Sequence, residues 1–319
     1  MNHTIITLAI MIAATAVTTP AAAQENYRFG NVTKTELEDT TVPATAEGAD
    51  MVILNKTVSA GLLNSCMPIS STIKRYRFFR YILYSDMQKV KIVNPTSGTA
   101  RISIILKNNE TFDNKHLQAR HYSMRNSNVT QKKYTHKNTE ETVLPNGDKR
   151  IDLTITNAKA GDIVEYCYTK VINLTKAETY DLQIQQNIPI LNTRYIVYTV
   201  EPVYGDRSRF TGQYYKSITT MGKYPIIQNK KAYVDIHVPY EFIIYPQVRA
   251  KYHYKSDYIE GYFEKNTYDR YSAVLTYEAG NLPAITSEPD NDIAQIRIVF
   301  DPKEYEQFNS FMFETVVVE

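Results

Sequence analysis

An antiparallel β-sandwich with one short N-terminal helix is the fold class this sequence predicts, and three observations carry it. Tyrosine occurs 26 times and phenylalanine 11 times in 319 residues, while tryptophan is absent and glycine is limited to 11, a bias toward aromatic side chains that suit pleated sheet. Apolar and polar residues alternate with a period of two in the long segments after Met51. Turn formers recur between those segments without an alternation of strands and helices, which favours stacked antiparallel sheets over a parallel α/β fold. The composition, 43% hydrophobic and 22% charged, is that of a soluble folded chain and excludes collagen-like, coiled-coil and disordered classes. Lys plus Arg number 36 against 34 acidic residues, and the resulting +2 supplies no global field toward nucleic acid or anionic membrane.

Residues 1–23 carry an apolar stretch over 5–17 followed by small residues, with Ala21 and Ala23 framing a cleavage site. This pattern predicts a secretory signal peptide, because the apolar core is shorter than the roughly 20 residues that a membrane-spanning helix needs. No cysteine near the cleavage site marks a lipoprotein, and no later segment is apolar enough to span a bilayer. Thr33-Lys34-Thr35-Glu36 fits a capping box and predicts a helix over 33–39, and Pro43 predicts an extended linker over 40–48. Residues 88–93 and 99–107 flank Asn94-Pro95-Thr96-Ser97-Gly98 and predict a hairpin that buries Ala100, Ile102, Ile104 and Leu106 on one face. A second hairpin turns at Pro145-Asn146-Gly147-Asp148, with Ile151, Leu153 and Ile155 inward and Asp152, Thr154 and Thr156 outward. Gly161-Asp162 opens the next strand, through Val171, and continues the meander.

Further strands are expected at 195–201 and 232–238, with 239–246 bent or at an edge because proline cannot donate to a ladder. Over 248–255, Val248, Ala250, Tyr252 and Tyr254 alternate with Arg249, Lys251, His253 and Lys255. Ile259, Phe263, Tyr271, Ala273, Leu275 and Tyr277 continue the sheet.

Chemistry-bearing patterns are sparse. Glycines are too dispersed for a phosphate cradle, the nearest pair in that region being Gly205 and Gly212, and Gly222-Lys223 is followed by Tyr224 instead of Ser or Thr. His116 and His121 are five apart, which puts them on opposite faces of a strand beside Lys115 and Arg120, a setting of surface histidines and not of a metal site. Neither Cys66, before Met67-Pro68, nor Cys167, between Tyr166 and Tyr168 on a strand, has the helix N-terminus or nearby cation that activates a thiol toward His237 or His253. An exported chain permits a bridge between them that would close a loop of about 100 residues and be worth about 4.7 kcal/mol. The strand setting of Cys167 favours two free thiols.

Lys74, Arg75, Arg77, Arg80, Lys89 and Lys91 interleave with Tyr76, Phe78, Phe79, Tyr81 and Tyr84. This pattern suits a polyanion face, or, as expected for an exported chain, a strand with a solvated basic row and an aromatic core row. The tyrosines over 252–277 suit a stacking platform for sugars or peptides, or core pairs. Tyr258, Tyr262, Arg249 and Lys251 are the candidate ligand or partner surface. No catalytic residue, cofactor or metal is expected.

Several short stretches follow one another in order: Phe29-Gly30-Asn31-Val32-Thr33 with Glu36-Leu37, Ala49-Asp50-Met51-Val52-Ile53-Leu54, Ala160-Gly161-Asp162-Ile163-Val164-Glu165-Tyr166, Ile188-Pro189-Ile190, and Asn281-Leu282-Pro283-Ala284 with Glu288-Pro289. Together they resemble the domain of unknown function 3857. The resemblance implies a β-rich module over 24–300, with 301–319 as a tail that reads as a spare strand. It further implies the periplasm or cell surface of Bacteroidota, where such modules typically precede a transglutaminase-like cysteine domain. Members often carry Trp and Phe before the Ile-Pro step, where this chain has Leu182-Gln183-Ile184-Gln185. The family's catalytic Cys, His and Asp belong to that following domain, so none is carried over. The expected function is non-catalytic binding of a cell-envelope glycan, peptide or protein, without nucleic acid. The alternatives are an accessory part of a transglutaminase-like amidase or peptidase, and a plain envelope scaffold.

Overall fold

The computed structural model describes residues 29–39, 41–68, 75–112, 117–174, 177–202, 216–238, 268–286, 292–300 and 315–317, with the backbone alone at 63–68, 75–79, 81, 83, 198–202, 229–238, 268–274 and 315–317. In chain order the elements are α1 (Lys34–Glu38), β1 (Met51–Pro68), β2 (Arg75–Ile92), β3 (Thr99–Leu106), β4 (Glu110–Phe112), β5 (Gln118–Arg125), β6 (Asn128–Thr135), β7 (Thr139–Val143), β8 (Lys149–Thr156) and β9 (Ile163–Asn173). They continue with β10 (Thr179–Gln183), β11 (Ile190–Pro202), β12 (Ser217–Met221), β13 (Ile227–Val238), β14 (Tyr268–Leu282), β15 (Gln295–Val299) and β16 (Thr315–Val317).

The long strands build a large sheet in the order β13-β14-β11-β1-β2-β9-β5-β6, with β16 beside β2 and β4 beside β9. Two three-stranded sheets, β3-β8-β7 and β10-β15-β12, accompany it among the described residues. Ile53, Val58, Ile82 and Val90 of the large sheet share one core with Ile102 and Leu153 of the first small sheet and Leu182 and Ile298 of the second. This is the expected all-β sandwich. Pairing is mainly antiparallel, but β1 lies parallel to β11, and β16 lies parallel to β2.

The helix forms as its capping box predicts. Thr33 Oγ1 accepts from the Glu36 amide at 3.2 Å, and Glu36 Oε2 accepts from the Thr33 amide at 2.7 Å. The linker is not extended throughout, because Pro43, fixed at φ −62°, leads into a 3-10 turn over Ala44–Ala46.

The hairpin expected between 88–93 and 99–107 does not form. Strand β2 is already paired on both sides by β1 and β9, so it has no free edge for β3. The turn instead carries the chain across to the opposing layer, where β3 finds a matching buried row on β8: Ala100 opposite Ile155, Ile102 opposite Leu153, and Ile104 opposite Ile151. The inward face predicted for β3 is correct, only its partner differs. The second hairpin, β7 with β8, is as predicted, with Gly147 supplying the positive φ (+84°) of its turn. Asp152, expected outward on β8, is nevertheless buried, because Ser103 and Arg150 hydrogen-bond both of its oxygens. The meander then breaks, since β9 leaves β8 and returns to the large sheet between β2 and β5.

Strands β11, β13 and β14 cover the segments expected at 195–201, 232–238 and 271–277. Residues 1–23 and 239–263 lie outside the described residues. Among the described residues, no helix is long and apolar enough to cross a membrane.

Candidate functional site

Strict alternation brings five side chains into one row across the core face of the large sheet: Tyr277 on β14, Tyr195 on β11, Val58 on β1, Asp86 on β2 and Tyr168 on β9 are successive register partners. The next row places Thr193, Lys56, Gln88 and Tyr166 opposite one another. Asp86 Oδ2 accepts hydrogen bonds from Tyr84 Oη (3.2 Å), Tyr168 Oη (3.2 Å) and Gln88 Nε2 (3.1 Å). Lys56 Nζ lies 3.6 Å from the same oxygen and 5.4 Å from the centre of the Tyr195 ring. The side chains of Lys56 and Asp86 are 1% and 0% exposed, so this is an ion pair sealed between layers.

The cluster extends toward β4. Lys170 Nζ meets Glu110 Oε2 at 2.8 Å and sits 4.9 Å from the Tyr84 ring centre, while Tyr180 donates to Glu110 Oε1 at 3.3 Å. Burial pushes the Tyr84, Tyr166 and Tyr168 phenols far up, and the Asp86 carboxylate adds to it, so all three remain protonated and Tyr84 and Tyr168 serve as donors. Burial alone would lower the Lys56 ammonium, but Asp86 and then Tyr195 outweigh it and hold it above its ordinary value. On Lys170 burial wins over Glu110, and the net direction is down.

The opposite face of the sheet receives the N-terminal strap, residues 29–39. The Gly30 amide donates to Glu165 Oε2 at 2.7 Å, and Tyr122 Oη donates to the same oxygen at 3.1 Å. Position 30 favours glycine, because its φ of +94° is one that side-chain-bearing residues rarely adopt, and a Cβ there would also displace the Arg120 guanidinium. The Arg120 guanidinium lies 4.6 Å from the centre of the Phe29 ring. Lys89 Nζ bonds Glu36 Oε1 at 2.6 Å and the Asn31 carbonyl at 3.0 Å, and Lys91 Nζ donates to the Asp39 carbonyl. Beneath α1, Leu37 packs with Tyr122 and Ile163.

These contacts correct the reading of the basic run. Arg80, Lys89 and Lys91 are buried, not a solvated row, because each meets a built-in partner: the Ala177 carbonyl for Arg80, and the strap for the two lysines. Tyr84 is core, as expected. Lys74 lies outside the described residues, and of Arg75, Tyr76, Arg77, Phe78, Phe79 and Tyr81 only the backbone is described.

His121 is likewise not a surface histidine, since its Nε2 lies 2.8 Å from Asp162 Oδ2 and both side chains are 6% exposed. His116 and His253 lie outside the described residues, and His237 is described by backbone only. Cys167 is a free thiol, as expected, while the Cys66 side chain is outside the described set. In the β5–β9 register Cys167 pairs with Gln118, whereas His121 pairs with Val164, so thiol and imidazole point to opposite faces of the sheet. Tyr258, Tyr262, Arg249 and Lys251 lie outside the described residues. The Lys56–Asp86 cluster was not expected from the sequence.

Two expectations follow from these settings. Burial pushes the Cys167 thiol up to about 11, so alkylation by iodoacetamide in native Cys66→Ser protein at pH 8 should be far slower than after denaturation; equal rates would refute its protection. For Glu36, burial alone would raise the carboxyl, but bonds from Lys89 and the Thr33 amide outweigh it and hold it below its usual 4.5. A carboxyl lowered by folding stabilises above its unfolded value, and that support is lost as pH falls below 4.5 through the folded value. Hydrogen-exchange protection in 31–39 should therefore fall below that pH before protection in β9 does; simultaneous loss would refute an acid-sensitive strap.

No family model matches the sequence, and no curated protein matches it. Among solved structures, a candidate protease from Parabacteroides distasonis aligns with 80% of this chain at 9% identity and a TM-score of 0.41. The chain spans 41% of that protein's length. A candidate nutrient-binding protein from Legionella pneumophila aligns with 82% of this chain and 70% of its own at 7% identity and a TM-score of 0.28.

Proposed function

We propose that the chain is an exported, non-catalytic β-sandwich module of the kind represented by the domain of unknown function 3857, working in the periplasm or at the cell surface by binding an envelope glycan, peptide or protein. The observation that carries this reading is the convergence of the dispersed motif stretches at one end of the large sheet. Ile53, Ile190 and Leu282 are successive register partners on β1, β11 and β14, and Ile53 also faces Val90, which faces Val164. The Ile53 amide donates to the Pro189 carbonyl at 2.9 Å, Gln185 Nε2 donates to the Pro283 carbonyl at 3.0 Å, and Glu165 holds Gly30. The motif stretches thus meet at one structural joint.

Among the described side chains, the placement of Cys167 and His121 on opposite faces supports a non-catalytic role for that pair, since thiol catalysis requires thiol and imidazole within hydrogen-bond reach. The test incubates purified chain with peptidoglycan sacculi and, separately, with peptide-glutamine and amide substrates. Expected is co-sedimentation weakened by Arg249→Ala, Lys251→Ala, Tyr258→Ala and Tyr262→Ala together. Expected too is no difference in turnover among parent, Cys66→Ser and Cys167→Ser. Turnover abolished by either serine substitution would overturn the proposal in favour of an enzyme.

A further inference from the structure

We propose that the Lys56–Asp86 cluster is a binding site for an ordered internal water molecule, held between Lys56 Nζ, Asp86 Oδ1 and Thr193 Oγ1. The hydrogen bonding of Asp86 is lopsided. Oδ2 takes all three donors, from Tyr84, Gln88 and Tyr168, while Oδ1, equally buried, meets no donor from the described residues. Lys56 Nζ stands 3.6 Å from Oδ2, beyond a full hydrogen bond, and although the Tyr195 phenol lies beside it, the ammonium makes no hydrogen bond of full geometry. Thr193 Oγ1 is also buried without a partner, and Thr193 is the register neighbour of Lys56 on β11, facing the same layer.

Polar atoms with unmet bonding capacity on β1, β2 and β11 therefore share the same face in adjacent register rows, where an unmet donor or acceptor costs about 1–3 kcal/mol. Direct closure of Lys56 on Oδ1 would meet only one of these needs. The chemistry of the three atoms selects the occupant. It must accept from an ammonium and donate to a carboxylate oxygen. A metal cation is disfavoured by the adjacent ammonium, and an anion by the adjacent carboxylate. A neutral molecule that both donates and accepts fits, and a buried water with about three partners is the smallest such group. Its position at the parallel β1–β11 joint ties the ion pair to a third strand.

The test is a high-resolution crystal structure of the purified chain, joined to water–protein nuclear Overhauser measurements in solution. Expected is a density peak roughly 2.6–3.2 Å from both Lys56 Nζ and Asp86 Oδ1, and a long-lived water cross-peak to the Thr193 methyl group. Contacts near 2.4 Å to five or more oxygens would identify a cation and overturn the proposal. So would a dry site in which Lys56 bonds Oδ1 directly, with no water cross-peak at Thr193. The readouts concern atoms inside the sandwich, so their failure would leave the binding-module reading intact.

Discussion

Lys56→Met should destabilise the protein by about 3–5 kcal/mol, the range found when one partner of a buried ion pair is removed. Asp86 would then lose its paired cation at 0% exposure, left with neutral phenols and an amide as its hydrogen-bond donors and with the Lys170 ammonium acting on it from behind the Tyr84 ring, where Glu110 already claims it. The informative comparison is the double variant Lys56→Met/Asp86→Asn. Asparagine removes the stranded charge but keeps a carbonyl oxygen to accept from Tyr84 and Tyr168, whereas leucine would leave both phenols unmet. The double variant should therefore recover a large part of the loss, because replacing a whole buried pair by neutral groups is often close to neutral. Urea unfolding of the parent, both single variants and the double variant gives the coupling directly. If the double variant is as unstable as the sum of the singles, the two side chains act independently and the ion pair does not organise the core.

What the sequence makes legible is the alternation, and what it hides is partner choice. The buried row Ala100, Ile102, Ile104 and Leu106 is readable because each step of two residues returns to the same face. That β3 seeks β8 instead of β2 depends on which edges remain open after β1 and β9 have claimed β2, a property of the whole sheet and not of the turn between them. Lys56 shows a second limit. The register shift between Ile53 and Asn55 turns the phase of β1, so Ile53 and Lys56 share the core face although three positions separate them. A reader who carries the alternation straight on from Ile53 assigns Lys56 to the wrong face. A signal was nevertheless present in β2, where Asp86 occupies the same phase as Ile82, Tyr84, Val90 and Ile92, and a carboxylate in an apolar row demands a buried partner. The basic run misled for the converse reason: Lys89 and Lys91 flank Val90 and looked solvated, but the strap that covers them lies some fifty residues upstream.

Glu165→Ala should release that strap and lower stability by about 3–5 kcal/mol, as expected for breaking a buried charged network. Glu165 is 0% exposed and stands in register between Lys89 on β2 and Arg120 on β5. It is the sheet's own anion among the cations that seat the strap, and it also bonds the Gly30 amide and the Tyr122 hydroxyl. Its loss leaves those two donors without this acceptor, and the strap then meets Lys89 and Lys91 through the Asn31 and Asp39 carbonyls and through the Glu36 and Asp39 carboxylates, whose side chains are 32% and 54% exposed. Exposed partners hold cations weakly, because water and salt screen the attraction. The apolar contact beneath α1, Leu37 with Tyr122 and Ile163, is too small to hold the segment by itself. Native-state hydrogen exchange should accordingly show residues 31–39 losing protection in the variant while β3 and β8, whose buried row belongs to the other core, keep theirs. Limited proteolysis should cut first within the same segment. A variant whose strap remains as protected as the parent's would mean that Lys89 and Lys91 suffice to hold it, and that Glu165 serves the sheet alone.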